Sequence, residues 1–214
     1  MTALLEGLRR EHRLIEEVAG ALVAFAAQPT RADADLAAFC TFFGSYVDEH
    51  HHGKEEGVLF PALRARELPE RGPLAMLRTE HEDNRRAITE LRAGGASDPA
   101  LAGRARRFCA RLWEHIDKED SVLFEEAEVR LVLERQEIER QLAAHDEEHA
   151  ARAAELVLLG QELVKRFPPD PGFAATIFRG EGCSACRHFG DGCDGIEREW
   201  WTDAEWEGFR SRDF

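Results

Sequence analysis

His51-His52-Gly53-Lys54-Glu55-Glu56-Gly57-Val58-Leu59-Phe60 and His115-Ile116-Asp117-Lys118-Glu119-Asp120-Ser121-Val122-Leu123-Phe124 share the skeleton H-x-x-K-E-[ED]-x-V-L-F, 64 residues apart. A second pair accompanies them: Leu5, Leu8, Glu11 and His12 recur as Leu74, Leu77, Glu80 and His81, 69 residues on. Self-similarity within one chain signals a repeated supersecondary unit. Each copy has a Glu-His segment followed by a His-x-x-x-Glu segment. The chain therefore reads as two helical hairpins related by an approximate two-fold axis.

The surroundings are helical. Ala, Leu, Glu and Arg dominate, all good helix formers. Gln28-Pro29-Thr30 closes a first helix, a second runs from about Ala32 to Arg66, and Pro69 to Pro73 separates it from a third that ends near Ala93. Gly94 to Pro99 is a stop followed by a start, with Ser97 or Asp98 as N-cap. Between Gly103 and Gly160 there is no Gly or Pro. That stretch is too long for one bundle helix, so a break is expected between about Ala127 and Arg135, then a fifth helix to Phe167. The expected organisation is all-α: a helical bundle over 1–167, a Pro-rich linker over 168–172, and a Cys- and Trp-rich segment over 173–214.

Residues three, four, seven and eight apart share a helix face. Leu5, Leu8, His12, Ile15, Ala19 and Leu22 form one stripe. Leu36, Cys40, Phe43, Val47, His51, Glu55, Val58 and Ala62 form the second, and Leu74, Leu77, His81, Ile88 and Leu91 the third. Phe108, Leu112, His115, Glu119 and Val122 form the fourth. Each stripe carries a His, and two carry a Glu one turn later. Among the adjacent histidines, His51 is mid-stripe and aligns with His115. His52 shares its face with Ser45, Asp48 and Glu56 and reads as solvated, while His50 falls near Phe43, Tyr46 and Lys54.

A lone His on an apolar face is more often a hydrogen-bonded core residue than a metal ligand. Two inward carboxylates are harder to accommodate, because a buried ionised carboxylate is strongly unfavourable unless paired. No Arg or Lys lies on the Glu55 or Glu119 stripe within one turn. Four imidazoles and two carboxylates at one depth need compensation, and a pair of divalent cations supplies it. Imidazole and carboxylate without thiolate suit iron, manganese or zinc. Two His on each ion, with both Glu bridging, leave positions open for water, an oxo group or a small gas.

Taken in order, Glu11-His12, the His51 to Pro61 run, Glu80-His81 and His115-x-x-x-Glu119 resemble the hemerythrin-like (HHE cation-binding) family over about residues 1–130. The resemblance implies an up-and-down four-helix bundle with a non-haem di-iron centre of two iron ions, oxo- or hydroxo-bridged. His12, His51, His81 and His115 would be terminal ligands, with Glu55 and Glu119 as bridging carboxylates. Oxygen-carrying members have a second His one turn after the central one, where this chain has Arg85, and an Asp five residues after the last His, where it has Glu119 at four. Four His and two Glu are more similar to members linked to nitrosative stress, iron-centre repair and iron sensing.

The implied role is binding of O2, NO or iron itself in sensing, storage or stress defence, more a metal- and gas-binding protein than a dedicated enzyme. One rival is an enzyme that reduces peroxide or NO, or repairs iron centres, drawing electrons from thiols in the tail. Another is an interaction module with a structural metal. On this reading His12→Ala and Glu119→Ala lose iron, and His52→Ala does not.

Two further groups carry metal chemistry. His145 and His149 lie four apart in the fifth helix, as core or surface histidines or as a completing iron ligand. Cys183, Cys186, His188 and Cys193 form a candidate Cys3His zinc site, although the His188 spacing is short for that geometry. A redox-active Cys183–Cys186 pair and plain buried thiols compete with it. Cys40 and Cys109, set inside helical patterns, read as small buried hydrophobes.

The net charge of −14 argues against nucleic acid or an anionic membrane as partner. No run approaches the 18 or so uncharged apolar residues of a membrane span. Charges threaded through the first 18 residues make them an amphipathic helix rather than a signal peptide. Without a disulfide framework, a reducing cytoplasm is the expected location.

Overall fold

The computed structural model describes residues 4–68 and 72–170, and all regular structure among them is helical. Helix α1 is Glu6–Ala26, α2 spans 33–65, α3 is Pro73–Gly94, α4 spans 101–130 and α5 is Arg135–Arg166. The punctuation is the kind expected from the residues. Pro73 opens α3, where its missing N–H costs nothing. Gly95, at φ 72°, stops it in a conformation that side chains disfavour. Asp98 Oδ1 accepts from the Ala100 N–H just before α4, and residues 131–134 form the turn between α4 and α5.

Two apolar clusters lie on either side of a polar band. One contains Ile15, Phe43, Val47, Ile88, Phe108 and Leu112, and the other Leu5, Leu8, Leu59, Leu63, Leu77 and Phe124. Along α1 and α3 the chain passes from the second cluster to the first, and along α2 and α4 it passes back, so successive helices alternate in direction. His12, His51, Glu55, His81, His115 and Glu119 all fall where the helices cross from one cluster to the other, and each is at most 1% exposed.

Both long His-x-x-x-Glu helices depart from α geometry around these residues. In α2 the winding is π-helical over Phe42–His52 and Glu55–Leu59, and in α4 over Glu119–Leu123. A π turn bonds i to i+5, so it underwinds the helix and adds a residue to the turn. The expected stripes hold up to Glu55 and Glu119, and beyond each the buried position comes one residue late. Leu59 and Leu63 are buried where Val58 and Ala62 were expected, and Leu123 is buried where Val122 was expected.

Helix α5 packs on α1 and α2. It approaches closely at Gly160, where a Cβ would lie 2.7 Å from Phe42 Cε2 and 3.2 Å from Val18 Cγ2. Phe42 is fully buried against Phe43 and Tyr46 and has nowhere to move. Overpacking of this kind costs about 1–3 kcal/mol, against about 1 kcal/mol of helix propensity returned by Ala. Gly160→Ala should therefore show a net loss of stability in chemical denaturation. A gain would mean that α5 is only loosely seated.

Candidate metal centre

The imidazoles meet in two pairs. His12 Nε2 and His51 Nε2 are 3.0 Å apart, and His81 Nε2 and His115 Nε2 are 3.2 Å apart. Each carboxylate spans both pairs. Glu55 Oε1 lies 3.4 Å from His51 Nε2 while its Oε2 lies 3.5 Å from His81 Nε2. Glu119 Oε2 lies 3.3 Å from His12 Nε2 while its Oε1 lies 3.3 Å from His115 Nε2. Every sequence-predicted residue of the buried site is thus brought to one cavity.

The rest of the repeated skeleton holds this arrangement. His51 Nδ1 donates to Glu11 Oε2 at 2.8 Å and His115 Nδ1 donates to Glu80 Oε2 at 2.8 Å. His12 Nδ1 donates to Asp120 Oδ1 at 2.9 Å and His81 Nδ1 donates to Glu56 Oε1 at 2.7 Å. Lys54 grips Glu11, and Lys118 grips Glu80 at 2.5 Å. The final Phe of each motif stacks on a histidine of the other copy, Phe124 on His12 and Phe60 on His81. Sequence reasoning placed these residues in the repeat without giving them work. The signal was there, since a residue type that recurs with the ligands at fixed spacing has a part in the same geometry.

Those hydrogen bonds decide the tautomers. A carboxylate only accepts, so each Nδ1 carries the proton and each Nε2 presents a lone pair to the cavity. Lone pairs 3.0–3.2 Å apart then face one another and face Glu55 and Glu119, whose four oxygens are buried without a hydrogen-bond donor. Such a surface is electron-rich throughout and complementary to cations. The donor set fits two divalent ions of the iron, manganese or zinc type. Ligand atoms of His12, His51, Glu55 and Glu119 lie within 4.8 Å of one another, as do those of His52, Glu55, His81 and His115.

Without metal the cavity holds protons instead. Burial, and for Glu119 the neighbouring Glu55, push both carboxyls well above their ordinary 4.5. Burial pushes the His51, His81 and His115 imidazoles below 6.5, so they are neutral at pH 7. A depressed imidazole adds stability as pH climbs to 6.5, because below that the unfolded chain takes up protons the folded one refuses. A raised carboxyl does the reverse, and its stabilisation is lost as pH rises toward the folded value. As pH rises from 4.5 through the carboxyls' raised range the metal-free chain loses their contribution, and above pH 6.5 the imidazoles no longer offset it; loading a divalent ion should flatten the decline in melting temperature that the carboxyls cause. Parallel pH profiles with and without metal would contradict this account.

One placement at the site differs from expectation. His52 is not solvated: it is 1% exposed and stacks on His81, with ring centroids 3.7 Å apart and planes 9° from parallel. The underwound π segment turns it inward, where counting at 3.6 residues per turn put it outside. In-plane lone pairs of parallel stacked rings run side by side rather than converging, so in this arrangement His52 walls the second pair. His52→Ala would leave a void against His81.

His145 and His149 approach neither pair and gather instead around His50. Arg85, at the place of the oxygen carriers' extra His, bonds Asp48 at 2.6 Å and Glu56 at 2.9 Å and so braces the acceptor of His81. Cys40 and Cys109 are buried free thiols. Cys183, Cys186, His188 and Cys193 lie outside the described residues.

Helices alone among the described residues, with buried His pairs and carboxylates set between them, define a helical metal-binding protein. The model of the hemerythrin HHE cation-binding domain matches residues 3–127, and the chain belongs to that family. No curated protein and no solved structure matches it. Among the described residues no helix is long and apolar enough to cross a membrane.

Proposed function

We propose that the cavity holds two iron ions, His12 and His51 serving one and His81 and His115 the other, with Glu55 and Glu119 shared. The loaded centre binds a small diatomic ligand, O2 or NO, in sensing, storage or oxidative and nitrosative stress defence. One observation carries the reading: each of the two carboxylates turns one oxygen to each His pair, and none of the four oxygens meets a hydrogen-bond donor. The alternating helix directions support an up-and-down four-helix bundle of α1 to α4, with α5 laid against it.

Iron in such a donor set supplies Lewis acidity, one-electron chemistry and open positions for a small ligand. The chain's residues prepare the place. Glu11, Glu56, Glu80 and Asp120 hold the four imidazoles in the tautomer that aims Nε2 inward. Phe60 and Phe124 close the cavity on the side of the second apolar cluster and exclude water. Metal content per chain, with absorption spectra in the presence and absence of O2 and of NO, tests both halves. Two irons and a spectrum that responds to a gas are expected. A well-folded chain that takes up no transition metal would contradict the first half, and a two-iron chain indifferent to both gases would contradict the second.

A further inference from the structure

The second histidine cluster lies outside the cavity. His50 comes from the π segment of α2, and His145 and His149 stand one turn apart on α5. One ring nitrogen of each lies within 4.8 Å of the other two. His50 is 6% exposed and its Nδ1 is buried without a partner, as is His145 Nδ1. His149 donates Nδ1 to the His145 carbonyl at 2.8 Å, which leaves its Nε2 as an acceptor. The site has structural support. Gly53 makes room for it, since a Cβ there would lie 3.3 Å from His145 Nε2.

The two repeats differ at just these places. Where the first has His50 and Gly53, the second has Glu114 and Asp117. His145 and His149 also fall beyond residue 127, where the family match ends. The cluster is therefore a feature of this chain's own fifth helix rather than of the repeated core. Its charge favours a cation. His50 Nε2 lies 3.6 Å from both Glu11 Oε1 and Asp146 Oδ1, and among the described residues Lys54 Nζ is the ammonium that pairs with them, 2.9 Å from Asp146 Oδ1. Two carboxylates against one ammonium leave a net negative charge.

We infer that His50, His145 and His149 form a third, separate cation site for one divalent transition-metal ion. Three imidazoles suit zinc, iron(II) or cobalt(II) and not calcium or magnesium, which prefer oxygen. Metal–nitrogen bonds of about 2.0–2.1 Å need the three donors to close by up to about 1.5 Å, within reach of side-chain rotation. With His145 and His149 half-buried, this ion stays in contact with solvent, unlike the pair in the cavity. Glu11, which accepts from His51 on one oxygen and faces His50 with the other, connects the two sites.

The full-length chain, loaded with iron and then dialysed against cobalt(II), tests the site whether or not the cavity fills as proposed. The parent should take up one more cobalt per chain than His145→Ala/His149→Ala, with the same iron content in both; any cobalt on the tail cysteines is common to both and cancels. His149→Gln, a milder change at a half-buried position, should weaken cobalt binding about tenfold or more. Equal cobalt stoichiometry and affinity in parent and variants would overturn the inference. So would loss of iron along with cobalt, since that would place the two histidines in the buried centre.

Discussion

Glu119→Leu should empty the cavity of metal and at the same time leave the metal-free chain more stable. The two effects share one cause. Glu119 is fully buried, with no hydrogen-bond donor on either oxygen, and burial together with Glu55 raises its pKa. In the metal-free chain it is a polar group taken out of water beside a second buried carboxyl, with little to offset the loss. A leucine of similar bulk removes that penalty and the crowding against Glu55, a gain of about 1–3 kcal/mol. The carboxylate is also the group that faces both His12 and His115. Partners outside the coordination sphere are each worth about 10- to 100-fold in metal affinity, and the shared ligand proposed for Glu119 would be worth more than that. Metal titration and denaturation of the metal-free variant read the two halves separately. Lower stability without metal would mean that Glu119 makes a structural contact that the geometry does not show.

Glu11→Ala and Glu80→Ala should weaken metal binding alike and differ in stability. Both carboxylates take the Nδ1 proton of a cavity histidine and the ammonium of a lysine. Against the burial that would raise it, the neighbouring His50 ring and the hydrogen bond from His51 hold Glu11 well below its ordinary range, and His115 and Lys118 lower Glu80 in the same way. Without either acceptor an imidazole loses its tautomer and its aim, at about 10- to 100-fold in affinity. The lysines then part company. The Lys54 side chain is 2% exposed, so Glu11→Ala leaves a buried ammonium with only Asp146 beside it. Stranding a buried charge costs about 3–5 kcal/mol, and the lower end applies because Asp146 remains. The Lys118 side chain is 17% exposed and can turn its head to water, so Glu80→Ala should cost about 1–2 kcal/mol. Equal losses would show that Asp146 alone suffices for Lys54.

The repeat made most of the cavity legible before any coordinates. His12, His51, His81 and His115 stand at helical spacing on apolar stripes, and Glu55 and Glu119 follow one turn later. Amphipathic periodicity is set by local backbone geometry, and every one of these positions is buried. The same logic failed at His52 and at the positions after each Glu, because it assumes one winding throughout. Where the helix underwinds, the inward face shifts by a residue, and no residue type in the motif announces a π turn. Glu11, Glu56, Glu80 and Asp120 were visible as repeated letters, yet their task is exchanged between helices. Asp120 of the second copy serves His12 of the first, and Glu56 of the first serves His81 of the second.

Composition, turns and repetition were enough for the all-helical class, the element order and the six inward side chains, since each follows from spacing along one helix. Which nitrogen meets which oxygen, the burial of His52, and the gathering of His50 with His145 and His149 follow from how separate helices pack. Groups nearly a hundred residues apart come together only when α5 lies down on α1 and α2, and no periodicity within a single helix carries that information.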